Sequence, residues 1–389
     1  MYDENIYAEV VFDGDETHAP ARMGTPKDDQ LQGTTLERLV ELAGRVCYDS
    51  LGKGRSSAAY HKHIAEVGHG SVWEHANFTI CLHLNYDCDV VDEGDFLRSS
   101  DFVVALANRP GVWIENYLPE IDEVYITSNL RAVVEWDDWT PQIGVDARIE
   151  KWLPWILRKE AHILAPQIVD APENLDVGPQ ANLYWENVIP VSQEQAWVSL
   201  LLGGSRGMSH EQVRHKFRTA VSQRSTRYVD ESDSPWVEHP LTTRYNDDVE
   251  RLRTDSSEDP RPRKVGFYGS EEPHAAEGYA RWVYRDAAYK LQAACEAQGI
   301  DKHTARKQAR GAARGYLGNA LHTELIFSAS VAQWKRMIAM RCSPYADAEI
   351  RVLYGYVLRA LKTTKWVEDF AEFNLVPSTD GIGEVVAGC

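Results

Sequence analysis

The sequence has no run approaching the roughly 18 apolar residues that a membrane-crossing helix needs. Its start, Met1-Tyr2-Asp3-Glu4, also lacks the basic-then-apolar layout of a secretory signal. A cytoplasmic protein with no membrane partner is the expectation. Its six cysteines (Cys47, Cys81, Cys88, Cys295, Cys342 and Cys389) show neither a CxxC pair nor zinc-type spacing, so reduced structural thiols are expected. The 13 histidines form no HxxxH or HExxH pattern, and the Asp-rich stretches lack the Gly and Glu placement of a calcium loop, so no metal is required. Positive charge is scarce as well. Against 59 acidic side chains stand 41 basic ones, a formal charge of -18 that repels a polyphosphate backbone and argues against nucleic acid as a partner.

What is present suits a folded enzyme-sized chain: 389 residues, 43% of them hydrophobic, enough for one large core or two moderate ones. Tyr7 to Phe12 reads as an edge strand in an otherwise polar N-terminal stretch. Thr34 precedes Glu37 at capping-box spacing, and Leu36, Leu39, Val40, Ala43, Val46 and Cys47 follow at helical intervals, predicting a helix over about 35–48. Asn77 to Leu84 alternates apolar and polar positions, as a strand with one buried face does. Residues 86–195 are rich in tryptophan, and 147–168 has the period of an amphipathic helix. Residues 229–272, with few apolar anchors, predict a mobile surface excursion. Helices are expected over about 274–299, 302–320, 322–341 and 346–363. The chain therefore reads as mixed α/β with a helical C-terminal half.

Three polar clusters carry the chemistry. In Ser205 to Tyr228 the cations Arg206, His210, Arg214, His215, Lys216, Arg218, Arg224 and Arg227 reverse the charge of an acidic protein. Guanidinium groups bind phosphate through paired hydrogen bonds, so an anionic ligand fits, as does a solvated basic helix face. In the second cluster Arg314 and Arg341 sit among small and apolar neighbours, where a charge needs a partner; a ligand or acids such as Glu324 and Glu349 would serve. The third, Gly68-His-Gly-Ser-Val-Trp-Glu-His75, places two glycines around His69 and permits close backbone approach to a ligand, while Glu74 and His75 suit either a site or a buried hydrogen-bonding role.

Taken in order, these segments resemble the flavin-dependent thymidylate synthases. That family's Arg-His-Arg, Ser-rich stretch and Ser-x-Arg-Tyr stand here as Arg214-His215-Lys216 and Ser225-Thr226-Arg227-Tyr228, with one extra residue between the two halves and Lys in place of the last Arg. Ser205-Arg206, Ser209-His210, Ala43 to Tyr48, Gly68 to His75, Arg314 to Thr323 and Arg341 to Arg351 are also similar, so the resemblance covers about 30–85 and 196–365. It implies an α+β fold with an antiparallel sheet, its catalytic domain in two parts, 1–85 and 196–370; between them lies an insertion over 86–195 without counterpart in typical members, read from its own residues as mostly helical, and a tail runs from 371 to 389.

The resemblance further implies that His69, Ser71, Glu74, Arg214, His215 and Lys216 contact FAD, and that Glu211, Gln223, Ser225, Arg227, Arg314 and Arg341 hold a pyrimidine nucleotide, dUMP, with Arg341 and Ser225 at the reaction centre. NADPH and methylenetetrahydrofolate are the implied co-reactants, and a homotetramer with shared active sites the implied assembly. The reaction would be methylation of uracil C5 without a cysteine nucleophile, and no Pro-Cys-His motif occurs here. The alternatives are methylation or hydroxymethylation of another pyrimidine monophosphate, and a non-catalytic nucleotide- or flavin-binding homologue. The family's Asn-x-Arg flavin contact is replaced by Ser330-Val331-Ala332, while Thr127 to Trp136 contains Asn129 and Arg131 at the same spacing. A relocated flavin contact is one reading of that pair; an Arg131 to Glu135 salt bridge one helical turn along is the other.

Overall fold

A computed structural model describes residues 3–18, 20, 31–84, 111–118, 123–135, 183–187, 192–241, 244 and 275–387. Its strands, in chain order, are β1 (Tyr7–Phe12), β2 (Asn77–Leu84), β3 (Val112–Leu118), β4 (Glu123–Asn129), β5 (Leu183–Asn187), β6 (Trp197–Ser205), β7 (Thr219–Gln223), β8 (His322–Ser330), β9 (Leu375–Pro377) and β10 (Glu384–Val386). The helices are α1 (Thr35–Cys47), α2 (Ser57–Glu66), α3 (Leu130–Val134), α4 (Arg206–Gln212), α5 (Ala275–Ala297), α6 (Lys302–Ala313), α7 (Val331–Arg341) and α8 (Ala348–Leu361), with a 3-10 turn at Gly70–His75.

The central sheet runs β1-β6-β8-β7, every pair antiparallel. β6 is buried along its whole length, because alternate residues serve two cores. Leu201 and Ile326 pack on the α1 side with Leu39, Val40 and Leu42. Leu200, Leu202, Leu325 and Phe327 face the other way, against Trp334 of α7 and Leu353, Tyr354 and Val357 of α8. The capping box at the start of α1 is present in full: Thr34 accepts from the Glu37 amide at 3.2 Å, and Glu37 accepts from the Thr34 amide at 2.9 Å. β1 is an edge strand, as its sequence suggests.

The second sheet, β3-β4-β2-β5, joins β2 to three strands from the 86–195 region. The described residues of that region are thus mainly strand, with the short α3 as their helix, where mostly helix was expected; 147–168 lies outside the described residues. In the β3–β4 ladder Ile114 pairs with Ile126 and Asn116 with Tyr125, so Glu115 is bulged out of register.

Four expectations are corrected. The predicted helix over 322–341 is strand β8 followed by α7, with Ser330 capping α7 through the Gln333 amide at 3.2 Å. An apolar run buried on both faces has no period that separates helix from strand, and here the two neighbouring strands settle it. Helix α6 ends at Ala313, well before 320, giving way to a 3-10 turn at Arg314–Tyr316. Within 229–272, the described start is packed rather than loose: Val229, Glu231 and Val237 are buried, and Trp236 bridges to Leu321. β2 also departs from a single buried face, since Asn77, Phe78 and Thr79 are all buried, Thr79 by a 3.0 Å hydroxyl contact with Thr127 on β4. Among the described residues no helix is long and apolar enough to cross a membrane.

Candidate functional site

The site is built where α4 leaves the end of β6. Ser205 caps α4, accepting from the Met208 amide at 3.0 Å, and is itself pinned by buried Glu349, which accepts from its amide at 2.7 Å and its hydroxyl at 2.6 Å. The first amides of α4 go to the stretch after α6: Arg206 donates to the Leu321 carbonyl at 2.9 Å and Gly207 to that of Asn319 at 3.0 Å. This brings Arg206 near Arg314. Burial lowers the Arg206 pKa, Glu231 opposes that and Arg314 adds to it.

The loop after β7 docks on the same place. The Arg224 amide donates to the Glu324 carbonyl at 2.8 Å, and the Ser225 amide to that of Cys47 at 2.9 Å. From α6, Arg310 donates to the Tyr228 carbonyl at 2.7 Å and to Asp230 at 2.8 Å. Arg227 consequently lies beside Gly311, where a Cβ would stand 3.9 Å from its Cγ, one turn before Arg314. Arg206, Arg227 and Arg314 have no ion-pair partner among the described residues; Arg227 and Arg314 are exposed, the Arg227 amide donates to the Ser225 hydroxyl at 3.4 Å, and half-buried Arg206 feels both Arg314 and the opposing charge of Glu231. That combination suits a phosphate.

Against this cradle stands an aromatic group. Tyr48 hydrogen-bonds Nδ1 of His69 and stacks on its ring, with centroids 5.6 Å apart, while Tyr228 meets Tyr48 edge-on at 4.9 Å. The Lys307 ammonium lies 4.9 Å from the Tyr228 ring centroid. Burial lowers the His69 pKa, and Lys307, His63 and Arg227 lower it further. His69 is therefore a neutral ring at physiological pH, able to stack on a planar ligand.

The other end of α4 carries a second group. Arg341, at the end of α7, donates to Glu211 at 2.7 Å and, through Nε, to Nε2 of His215 at 3.0 Å. Burial and then Arg341 push the His215 pKa down to about 4, so the ring is neutral and accepts this bond. Arg214 and Lys216 flank it, exposed and without an acidic partner among the described residues, and so suit the diphosphate of a dinucleotide such as FAD. Gln223 ties the end of β7 to α4 and β8, its amide donating to Ser209 at 2.9 Å and Thr323 at 3.2 Å.

The expected nucleotide residues thus fall into two sets: Ser225, Arg227 and Arg314 at one end, Glu211 and Arg341 at the other. The seven residues of α4 lie between them, roughly 10 Å of helix. Glu324 and Glu349, weighed as partners for Arg314 and Arg341, are engaged elsewhere, by Tyr7 and Ser205.

The expected flavin residues are likewise spread. Ser71 is exposed on the 3-10 turn, and Glu74, on the same turn, pairs with Arg131. Asn129 and Arg131 do not share a face. Asn129 is buried, its side-chain oxygen capping α3 through the Ala132 amide at 3.0 Å, whereas Arg131 is half-exposed between Glu74 and Glu135, the latter at 2.8 Å. His75 turns inward, bonded to Ser328 at 2.7 Å and Ser222 at 3.0 Å. Arg206 and Tyr48 were not singled out for a role by sequence; the only signal was that Arg206 lies in the basic cluster and Tyr48 ends a family-like helix.

The family model described as thymidylate synthase complementing protein matches residues 31–88 and 192–364. A flavin-dependent thymidylate synthase from Mycobacterium marinum is 34% identical over 206 residues, covering 51% of this chain and 72% of that protein. One from Mycobacterium tuberculosis is 33% identical over the same length and coverage. A crystal structure of thymidylate synthase X from Helicobacter pylori, with FAD and dUMP, overlaps 43% of this chain and 68% of its own at 19% identity, with a TM-score of 0.25, too low to compare positions.

Proposed function

The chain belongs to the thymidylate synthase complementing protein family, the flavin-dependent thymidylate synthases, and from that premise we propose that it methylates dUMP at C5 to give dTMP, with FAD, NADPH and methylenetetrahydrofolate. The observation that carries the reading is the gathering near the end of α6 of Arg206, Arg227 and Arg314, none with an ion-pair partner among the described residues, in a protein of net charge -18, with Ser225 held by the Arg227 amide. Bound flavin would supply the hydride that reduces the transferred carbon.

The chain's own residues bind and orient. Ser225 and its arginine neighbours take the phosphate, and Arg341, held by Glu211 and His215, would polarise the uracil carbonyl. His69 and Tyr48 offer flat surfaces, and Arg214 and Lys216 the charges for the cofactor's diphosphate. Of the described cysteines, burial pushes the Cys47 thiol up to about 11, and Cys81 and Cys342 are fully buried, so these three are poor nucleophiles. We infer the homotetramer with shared active sites from the family alone; the nucleotide residues at the two ends of α4, roughly 10 Å apart, lie within reach of one nucleotide.

The test is purification followed by absorption spectra and NADPH oxidation with dUMP, dCMP and UMP in turn. We expect yellow protein, dUMP-dependent oxidation in the presence of methylenetetrahydrofolate, and dTMP as product. A colourless protein that FAD does not reconstitute would sink the reading. Preference for dCMP would instead favour the other-pyrimidine alternative, which the carboxylate of Glu211 beside Arg341 could serve by accepting from an amino group.

A further inference from the structure

Two backbone irregularities, one in the inserted sheet and one in the signature loop, meet side chain to side chain. Arg218 lies two residues past Lys216, in the stretch where the signature carries its extra residue. It has φ +48°, a left-handed conformation uncommon outside glycine. Glu115 is the bulged residue of β3, and a bulge re-aims the side chain it carries. The two groups form a forked ion pair: Arg218 Nη1 and Nη2 donate to the two carboxylate oxygens of Glu115 at 2.6 and 3.2 Å. Nη1 also donates to the Glu194 carbonyl at 2.9 Å, and the guanidinium lies 5.5 Å from the ring centroid of Trp113 on the same strand. The side chains of Arg218 and Glu115 are 9% and 10% exposed, so neither charge has water as a ready substitute.

The inserted region grips the proposed cofactor site a second time. Arg131, just after β4, pairs with Glu74 on the turn that also bears Ser71. Residues of β3 and of the short helix α3 that follows β4 therefore contact both segments expected to hold FAD, from outside the part of the chain that the family model matches.

We propose that the inserted sheet is a positioning element for the cofactor site, in which Glu115, acting through Arg218, fixes the loop that presents Arg214, His215 and Lys216. The extra loop residue adds backbone freedom that would otherwise be lost only on binding. The forked pair removes that freedom beforehand, and Arg218 holds its left-handed backbone because departing from it would strand two buried charges. The proposal rests on the reading that Arg214 to Lys216 hold FAD.

The experiment compares full-length Glu115→Gln, Glu115→Ala, Thr127→Val and Arg214→Ala by FAD dissociation constant, from flavin fluorescence on dilution, and by thermal midpoint without FAD. Thr127→Val removes the Thr79 to Thr127 contact of the same sheet without touching Arg218. Both Glu115 variants are expected to weaken FAD about tenfold, as displacement of an aligned group does, and Arg214→Ala to weaken it as well. Thr127→Val should lower the midpoint and leave FAD affinity unchanged. Wild-type FAD affinity in Glu115→Gln and Glu115→Ala, with Arg214→Ala impaired, overturns the positioning role alone. Unchanged affinity in Arg214→Ala overturns the cofactor site itself, and the positioning role with it. Loss of FAD in Thr127→Val in proportion to its loss of stability shows a merely structural sheet and also overturns the proposal.

Discussion

Arg206 and Arg314 show how burial and pairing separate residues of one type. Arg310, one turn before Arg314, spends its guanidinium on Tyr228 and Asp230, and Arg224 leans on Asp49 and Glu231. Arg206 and Arg314 have no such partner among the described residues, and Arg314 adds to the cost of the charge on half-buried Arg206. An arriving phosphate relieves that repulsion. Arg206→Gln and Arg314→Gln should therefore each lower nucleotide affinity by about 2 kcal/mol, roughly thirtyfold, the worth of a charge-assisted hydrogen bond. Both should keep or slightly raise the thermal midpoint of the ligand-free protein. Calorimetric titration with dUMP checks this, and a variant that binds as the parent does would remove that arginine from the phosphate cradle. At this scale the basic cluster was legible from composition, but the identity of the unpaired members was not. Glu211, rather than Glu324 or Glu349, holds Arg341, because α4 and α7 bring together residues 130 apart in sequence.

Among the elements, α1 illustrates a sequence signal that local forces suffice to read. Thr34 and Glu37 exchange hydrogen bonds within one turn, and the apolar period needs only one helix face to be covered. Its Gly44 is a different matter. In a helix interior alanine is favoured over glycine by about 1 kcal/mol, so Gly44→Ala reads as stabilising. The packed structure reverses the sign, since a Cβ there would lie 1.7 Å from the Tyr60 hydroxyl oxygen and 2.9 Å from its Cζ. Gly44→Ala should cost about 1–3 kcal/mol as overpacking, measured by urea unfolding. Adding Tyr60→Phe should recover part of the loss, because the nearest atom goes while the ring stays close; a more stable Gly44→Ala would show that α2 shifts freely. β8 failed to announce itself for a related reason. Its residues Leu325 to Ser330 are buried on both faces, so no alternation marks a strand until β6 and β7 are placed on either side of it.

For the molecule as a whole, buried histidines set the acid limit. Burial pushes His75 down to about 3, and burial followed by Arg45 pushes His61 down to about 4. Their folded values lie below the ordinary 6.5, so the unfolded chain takes up protons first. Stability is intact above about pH 6.5 and falls as pH drops through 6 toward 4, where His61 titrates, and further toward 3. The thermal midpoint should decline over that range. His75→Asn, although less stable at neutral pH for loss of its Ser222 and Ser328 bonds, should show a shallower decline. An identical slope in both proteins would assign the acid sensitivity to other groups.

The sequence by itself determined what forces acting over a few residues decide: the capping of α1, the edge strand at Tyr7, the gathering of cations between Arg206 and Arg227, and a motif order shared with one family. Tertiary structure alone decided which charges are neutralised and which are left for a ligand. It joined Arg218 to Glu115 across 103 residues, turned Asn129 into a helix cap, gave Arg131 to Glu74, and divided the candidate nucleotide residues between the two ends of α4. The reason is that pairing energy depends on distance and burial, and neither is a property of spacing along the chain.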